Sequence, residues 1–221
     1  MKPFLILLLL ILSYKVGVSQ IKARTPNGTP VILYPDSTWR YQLDSAKRTV
    51  VALDSTRHKD SIPTNPQIFQ VSAFATHLVK SKLLNFGVYV DNDLWGIRHC
   101  SINENGEMKF LEKGDNCYAV MVTETTEGVV VEDMQYVVLE GARELSPDAE
   151  ITTREYRMVN GIKVLCLGIK GSTKSVKFEG LNYSYATEKG VIQLMAWTTQ
   201  KKFKKNYGIL TRFLSGLVLL E

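Results

Sequence analysis

A chain of 221 residues, 45% hydrophobic and 22% charged, suits one ordinary core with an appendage and excludes collagen, coiled coil and wholesale disorder. The formal charge of +5 is mild, and two of the 27 basic residues, Lys2 and Lys15, lie in an N-terminal leader without acids, so the chain beyond it carries +3. That excess is too small for a nucleic-acid footprint, and no nucleic-acid partner is expected.

The leader itself comes first. Lys2 gives a positive start, Phe4 to Leu12 is an unbroken apolar run, and Val16-Gly17-Val18-Ser19 supplies small residues before Gln20. This is the layout of a signal peptide over residues 1–19. The run is shorter than the about 20 apolar residues that span a bilayer. The expectation is export to the periplasm or beyond, with no stable membrane insertion after cleavage. No cysteine precedes the cut, so no lipid anchor is expected.

Residues 20–43 read as a short β-hairpin element. Asn27-Gly28 and Pro35-Asp36-Ser37 are turn signals, and Val31–Tyr34 and Thr38–Tyr41 are β-rich. A three-strand meander is the expected form. From 44 to 68 the composition turns polar, with Lys47, Arg48, Arg57, His58, Lys59, Pro63 and Pro66, which predicts a linker.

Residues 69–221 form the main domain in this reading. Phe69 to Leu84 is ambiguous: Phe74, Leu78 and Lys82 fit helical spacing, while Ala75 to Val79 also reads as extended. Phe86–Val90 is a strand, stopped by Asp91-Asn92-Asp93. Trp95–Ile102 and Glu107–Leu111 flank Asn105-Gly106, a hairpin signal, and Tyr118–Thr123 is a further strand. Met134, Val137, Val138, Gly141 and Leu145 then mark one helix face, ended by Ser146-Pro147. Ile151–Val159 and Ile162–Ile169 flank Asn160-Gly161; Val176–Tyr185 and Val191–Thr198 flank Glu188-Lys189-Gly190. A last helix carries Phe203, Tyr207, Leu210, Leu214 and Leu217 on its apolar face. Hairpin connections force antiparallel pairing. The fold class is therefore α+β, a mostly antiparallel sheet of about eight strands flanked by helices.

This order of elements, with Phe86-Gly87-Val88-Tyr89-Val90-Asp91 leading to Trp95, resembles the PsbP-like fold, named for an extrinsic photosystem subunit and found in bacterial exported proteins. The resemblance covers roughly Ala75 to Leu220 and also takes in the Tyr118-Ala119-Val120 strand and the Val159-Asn160-Gly161 turn. It implies an α+β sandwich that binds or stabilises a partner, and it supplies no catalytic residue. Ala23 to Tyr41 resembles a β element that follows signal peptides in Bacteroidetes proteins. Gly28, Val31, Leu33, Asp36, Thr38 and Trp39 match that pattern, while Ser37 stands where glycine is common.

Chemistry-bearing residues are sparse. His58, His77 and His99 form no metal-ligand spacing, and His99 and Cys100 adjoin in a strand, so they point to opposite faces. No metal and no cofactor are expected. Cys166 lies in the apolar run Val164–Leu167 and reads as a buried thiol; Cys100 with Cys117 is the one pair open to bridging. Gly168-Ile169-Lys170-Gly171-Ser172 lacks the Walker spacing and reads as a strand end. The carboxylates Glu124, Glu127, Glu132 and Asp133 read as a loop and helix start, and Lys201 to Lys205 as a solvated helix face.

The aromatics carry the best hint of binding. Tyr183 and Tyr185 share one strand face by period two, and with Trp197 they are the candidate ligand-binding residues, for a peptide or a sugar. The expected function is an exported, non-catalytic binding or accessory protein of the bacterial envelope, its partner a protein, peptide or glycan. The alternative is an exported hydrolase using His77 or His99 with a carboxylate.

Overall fold

The computed structural model describes residues 21–24, 30–33, 39–41, 61–100, 106–114, 116–173 and 176–220. The leader and residues 44–60 lie outside them. The chain divides into two compact units, Met1–Asp60 and Ser61–Glu221.

In the first unit β1 (Ile21–Arg24), β2 (Pro30–Leu33) and β3 (Trp39–Tyr41) form an antiparallel meander. Val31 is the common hub, paired with Ala23 on one side and Tyr41 on the other.

The second unit begins earlier than the polar composition suggests. Thr64–Phe69, inside the run read as linker, is strand β4, paired parallel with β10 (Glu150–Val159). Its polar look has a plain cause: β4 is an edge strand, and only Phe69 at its end is buried. The ambiguous stretch after it is extended. It holds β5 (His77–Lys80), followed by β6 (Phe86–Val90), while Phe74 is exposed rather than part of a helix face.

Five strands remain in the body of the large sheet besides β10 and β4: β7 (Trp95–His99), β8 (Gly106–Glu112), β9 (Cys117–Glu124), β11 (Ile162–Thr173) and β12 (Val176–Thr187); β13 (Gly190–Thr199) makes eight in all. Their order is β4-β10-β11-β12-β13-β9-β8-β7, antiparallel except for the β4–β10 pair. Asn160 (φ 48°) and Gly161 (φ 84°) turn the β10–β11 hairpin, both in the left-handed region that the Asn-Gly pair tolerates. A small sheet, β14-β6-β5, uses β14 (Leu217–Leu219) as one edge. Leu217 thus leaves the helix to which its spacing assigns it, because α2 (Gln200–Leu214) ends three residues earlier.

The large sheet is covered on one face and along part of the other. On the first face α2 and the small sheet bury Leu210, Phe213, Leu214, Phe86, Val88 and Leu217 against Cys117, Ala119, Met121, Cys166, Tyr183, Ile192 and Leu194. On the second face α1 (Met134–Leu145) seats Met134 and Val138 on Leu165, Leu167 and Ile169 of β11. The predicted α1 stripe is split by this seating. Met134, Val138 and Ala142 face the sheet, whereas Val137 and Leu145 are exposed. One helix laid on one strand covers only a narrow stripe.

The three thiols are free and buried. Cys117 belongs to the first-face core with Ala119 and Met121; Cys100 packs with Val120 and Val122 on the second. Alternate positions of one strand point to opposite faces, so the sheet itself separates the only pair open to bridging.

Candidate functional site

The register of β12 and β13 decides where the three predicted aromatics lie. Tyr183 is opposite Leu194 and Tyr185 opposite Ile192, so both tyrosines point to the first face. Trp197 is opposite Gly180 and packs with Val120, Val122 and Met195. It stands on the second face. The structure therefore joins Tyr183 with Tyr185 but places Trp197 across the sheet from both, and the expected three-residue site is not assembled. Periodicity fixes relative facing within one strand only; facing between strands needs the register.

On the first face Tyr183 is fully buried and belongs to a polar cluster around Arg157, itself 2% exposed. Arg157 Nε donates to Glu155 Oε1 at 2.6 Å, Nη1 to the Tyr183 hydroxyl at 2.9 Å and Nη2 to the Tyr207 hydroxyl at 2.9 Å. The guanidinium also lies over the Phe69 ring, 4.7 Å from its centroid. Asn65 Nδ2 steadies the Glu155 carboxylate from β4 at 3.1 Å. Burial pushes the Tyr183 phenol well above its ordinary range, against the pull of Arg157. Arg157 is one signal the sequence carried unused: it is a charged residue in phase with Val159 on a core-facing side.

The second face holds a part-exposed aromatic pair. Tyr118 of β9 is the Cα partner of Trp197 of β13, and their rings lie near parallel, 6.1 Å apart at 24°. Tyr118 is 37% exposed and Trp197 half-buried. The β12 partner of Trp197 is Gly180, which is buried. A Cβ there would come within 2.6 Å of both the Ala196 carbonyl and Trp197 Cβ, so the site requires glycine.

The other candidate chemistry resolves into structural roles. The Tyr156 hydroxyl donates to the Glu132 carboxylate, and burial first, then Glu132, pushes that phenol up to about 12. Lys163 sits 4.0 Å from the Tyr156 ring centroid. In the lysine run Lys202 donates to Asn116 Oδ1, and Phe203 meets Tyr207 edge-on at 5.7 Å. Gly168 lies inside β11, where a Cβ would approach Thr152 Oγ1 within 2.6 Å; the glycine serves close strand packing, not a phosphate loop.

His77 and His99 are exposed in different sheets, and His99 Nδ1 lies 2.8 Å from the Cys100 carbonyl oxygen. Neither is hydrogen-bonded to a carboxylate among the described residues. A shallow pocket between Tyr89, Asp91, Trp95 and Arg212 has room for about one water molecule. Among the described residues no helix is long and apolar enough to cross a membrane.

No family model matches the chain, and no curated protein matches it. Solved structures do. Cyanobacterial PsbP (CyanoP) from Synechocystis sp. PCC 6803 superposes with a TM-score of 0.54 at 10% identity, covering 67% of this chain and 95% of that one. A Pseudomonas aeruginosa protein of unknown function, described as a putative regulator, gives 0.43 at 12% identity over 66% of this chain and 99% of its own. LpqN of Mycobacterium tuberculosis, described as involved in cell envelope biogenesis, gives 0.35 at 13% identity over 73% and 88%. At such identities the agreement is one of architecture: eight mostly antiparallel strands between two helices and a small second sheet give this chain the PsbP-like fold.

Proposed function

We propose that this chain is an exported, non-catalytic binding protein of the bacterial envelope, and that its ligand seats on Tyr118 and Trp197. The leader composition supports export, and the PsbP-like fold fits an accessory role by analogy of architecture alone. The observation that carries the reading is the near-parallel Tyr118–Trp197 pair, part-exposed on a sheet face. Large aromatic side chains left half in water on a rigid strand pair supply contact area at little entropic cost. Of the three aromatics expected to bind, Trp197 keeps that role; Tyr183 is spent on Arg157.

The test is glycan and peptide array screening of the chain without residues 1–19, beside Tyr118→Ala and Trp197→Ala. Ligands retained by the wild type should lose at least about tenfold in affinity on either change, with the fold intact by circular dichroism. Equal binding by wild type and both variants would overturn the reading, as would a measured turnover.

A further inference from the structure

On the same face as the aromatic pair, Arg98 of β7 lies directly opposite Lys109 of β8. Met108 and Phe110, on either side of Lys109, pack into the first-face core, so Lys109 projects from the second face, and Arg98 with it. Like charges directly opposite in a ladder repel. Neither cation meets a carboxylate within 4 Å among the described residues. Lys109 is in turn the Cα partner of Val120, two residues from Tyr118. Lys109 is thus offset from Tyr118 by two residues, about 7 Å along the strands, and by one strand across, with Arg98 one strand further out on the same face. Val120 and Met195 stand in the row of Lys109, and Leu111 in the row of Tyr118, so the surface joining the two is apolar there.

We infer that this face binds an acidic sugar. This rests on the aromatic pair being the ligand seat. The saccharide ring lies against Tyr118 and Trp197, and its carboxylate accepts from the Arg98 guanidinium and the Lys109 ammonium, relieving their repulsion. A peptide fits this place poorly. β8, β9 and β13 have both ladder sides occupied, so no backbone edge is open for an added strand there. Recognition must run through side chains alone, which a ring with one flat apolar side and one carboxylate satisfies.

The experiment is calorimetric titration of the chain without residues 1–19. The probes are oligogalacturonate, its methyl-esterified neutral form and an oligoglutamate peptide. The variants are Arg98→Gln/Lys109→Gln and Trp197→Ala. Oligogalacturonate should bind, at least tenfold tighter than the ester, and weaken with salt. The double Gln variant should lose that tenfold preference while keeping its thermal midpoint, since it removes a repulsion. Equal affinity for acid and ester, or no loss in the double Gln variant, overturns the acidic-sugar inference and leaves the aromatic seat standing. Oligoglutamate binding in preference to the sugar, or no binding of any probe, also overturns it. Trp197→Ala binding as the wild type does removes the seat and this inference together.

Discussion

Arg157 of β10 donates an N–H to the Tyr207 hydroxyl of α2 at 2.9 Å, so one guanidinium ties the sheet to the helix that covers it. The same group spends Nη1 on Tyr183 and Nε on Glu155. Arg157→Ala should cost about 3–5 kcal/mol, the range for breaking a buried charge pair by removing one partner. Tyr207→Phe removes one bond at a 39% exposed residue and should cost only about 1 kcal/mol. Arg157→Lys should not restore stability, because an ammonium lacks the planar fork. Urea unfolding of the three variants checks the order.

Asn160 is the second tie. It turns the β10–β11 hairpin with φ 48°, and its side chain does three further things. Nδ2 donates to the Ser215 and Leu217 carbonyls at 2.7 Å each, and Oδ1 accepts from the Val71 backbone N–H at 2.9 Å. Asn160→Gly keeps the turn and loses all three bonds. We expect a loss of about 2–3 kcal/mol, since each net bond is worth roughly 1 kcal/mol. Hydrogen exchange should quicken first at Val71. A variant as stable as the wild type would show that the turn, not the side chain, carries the site.

Asp148 predicts an acid-labile corner. Its carboxylate accepts from the Ser146 and Ser172 hydroxyls and from the Ser172 N–H, and these bonds, led by Ser172, lower its pKa from 3.8 to about 2. A folded pKa below the unfolded one gives stability that is present above about 3.8 and lost as pH falls towards 2. Asp148→Asn should flatten this part of the pH–stability curve. An unchanged slope between pH 4 and 2 would count against the assignment.

The buried thiols should be silent. Burial, with Glu112 adding to it, pushes Cys117 up to about 11; burial alone dominates for Cys166, pushed up to about 12. Neither is a thiolate at pH 8, and Cys100 is sterically enclosed as well. Native protein should leave all three unreacted with iodoacetamide at pH 8, and urea should expose all three. Modification without denaturant would contradict the burial.

Hairpins were the most legible part of this chain. Asn160-Gly161 and the Glu188–Gly190 turn act through local φ preference, which a sequence states openly. Register is not local. Tyr183 and Trp197 both look like core-or-ligand aromatics, and only the Gly180–Trp197 pairing sends them to opposite faces. The α1 stripe misled for a related reason: helical period shows that Val137 and Leu145 are apolar, not that β11 is too narrow to reach them. Polar composition likewise hid β4, whose exposed edge position asks for Thr64, Asn65 and Gln67 rather than a hydrophobic run.

That edge strand has a consequence for the order of folding. β4 is synthesised well before its partner, since Asn65 and Glu155 are 90 residues apart, whereas β10 to β13 pair as successive hairpins. Loop closure over that span is the slow kind of contact. Meanwhile a waiting strand is an aggregation hazard. Pro66, which has no N–H to offer, and the polar residues around it make β4 a poor template for strangers. The chain keeps its early strand quiet until β10 exists to receive it.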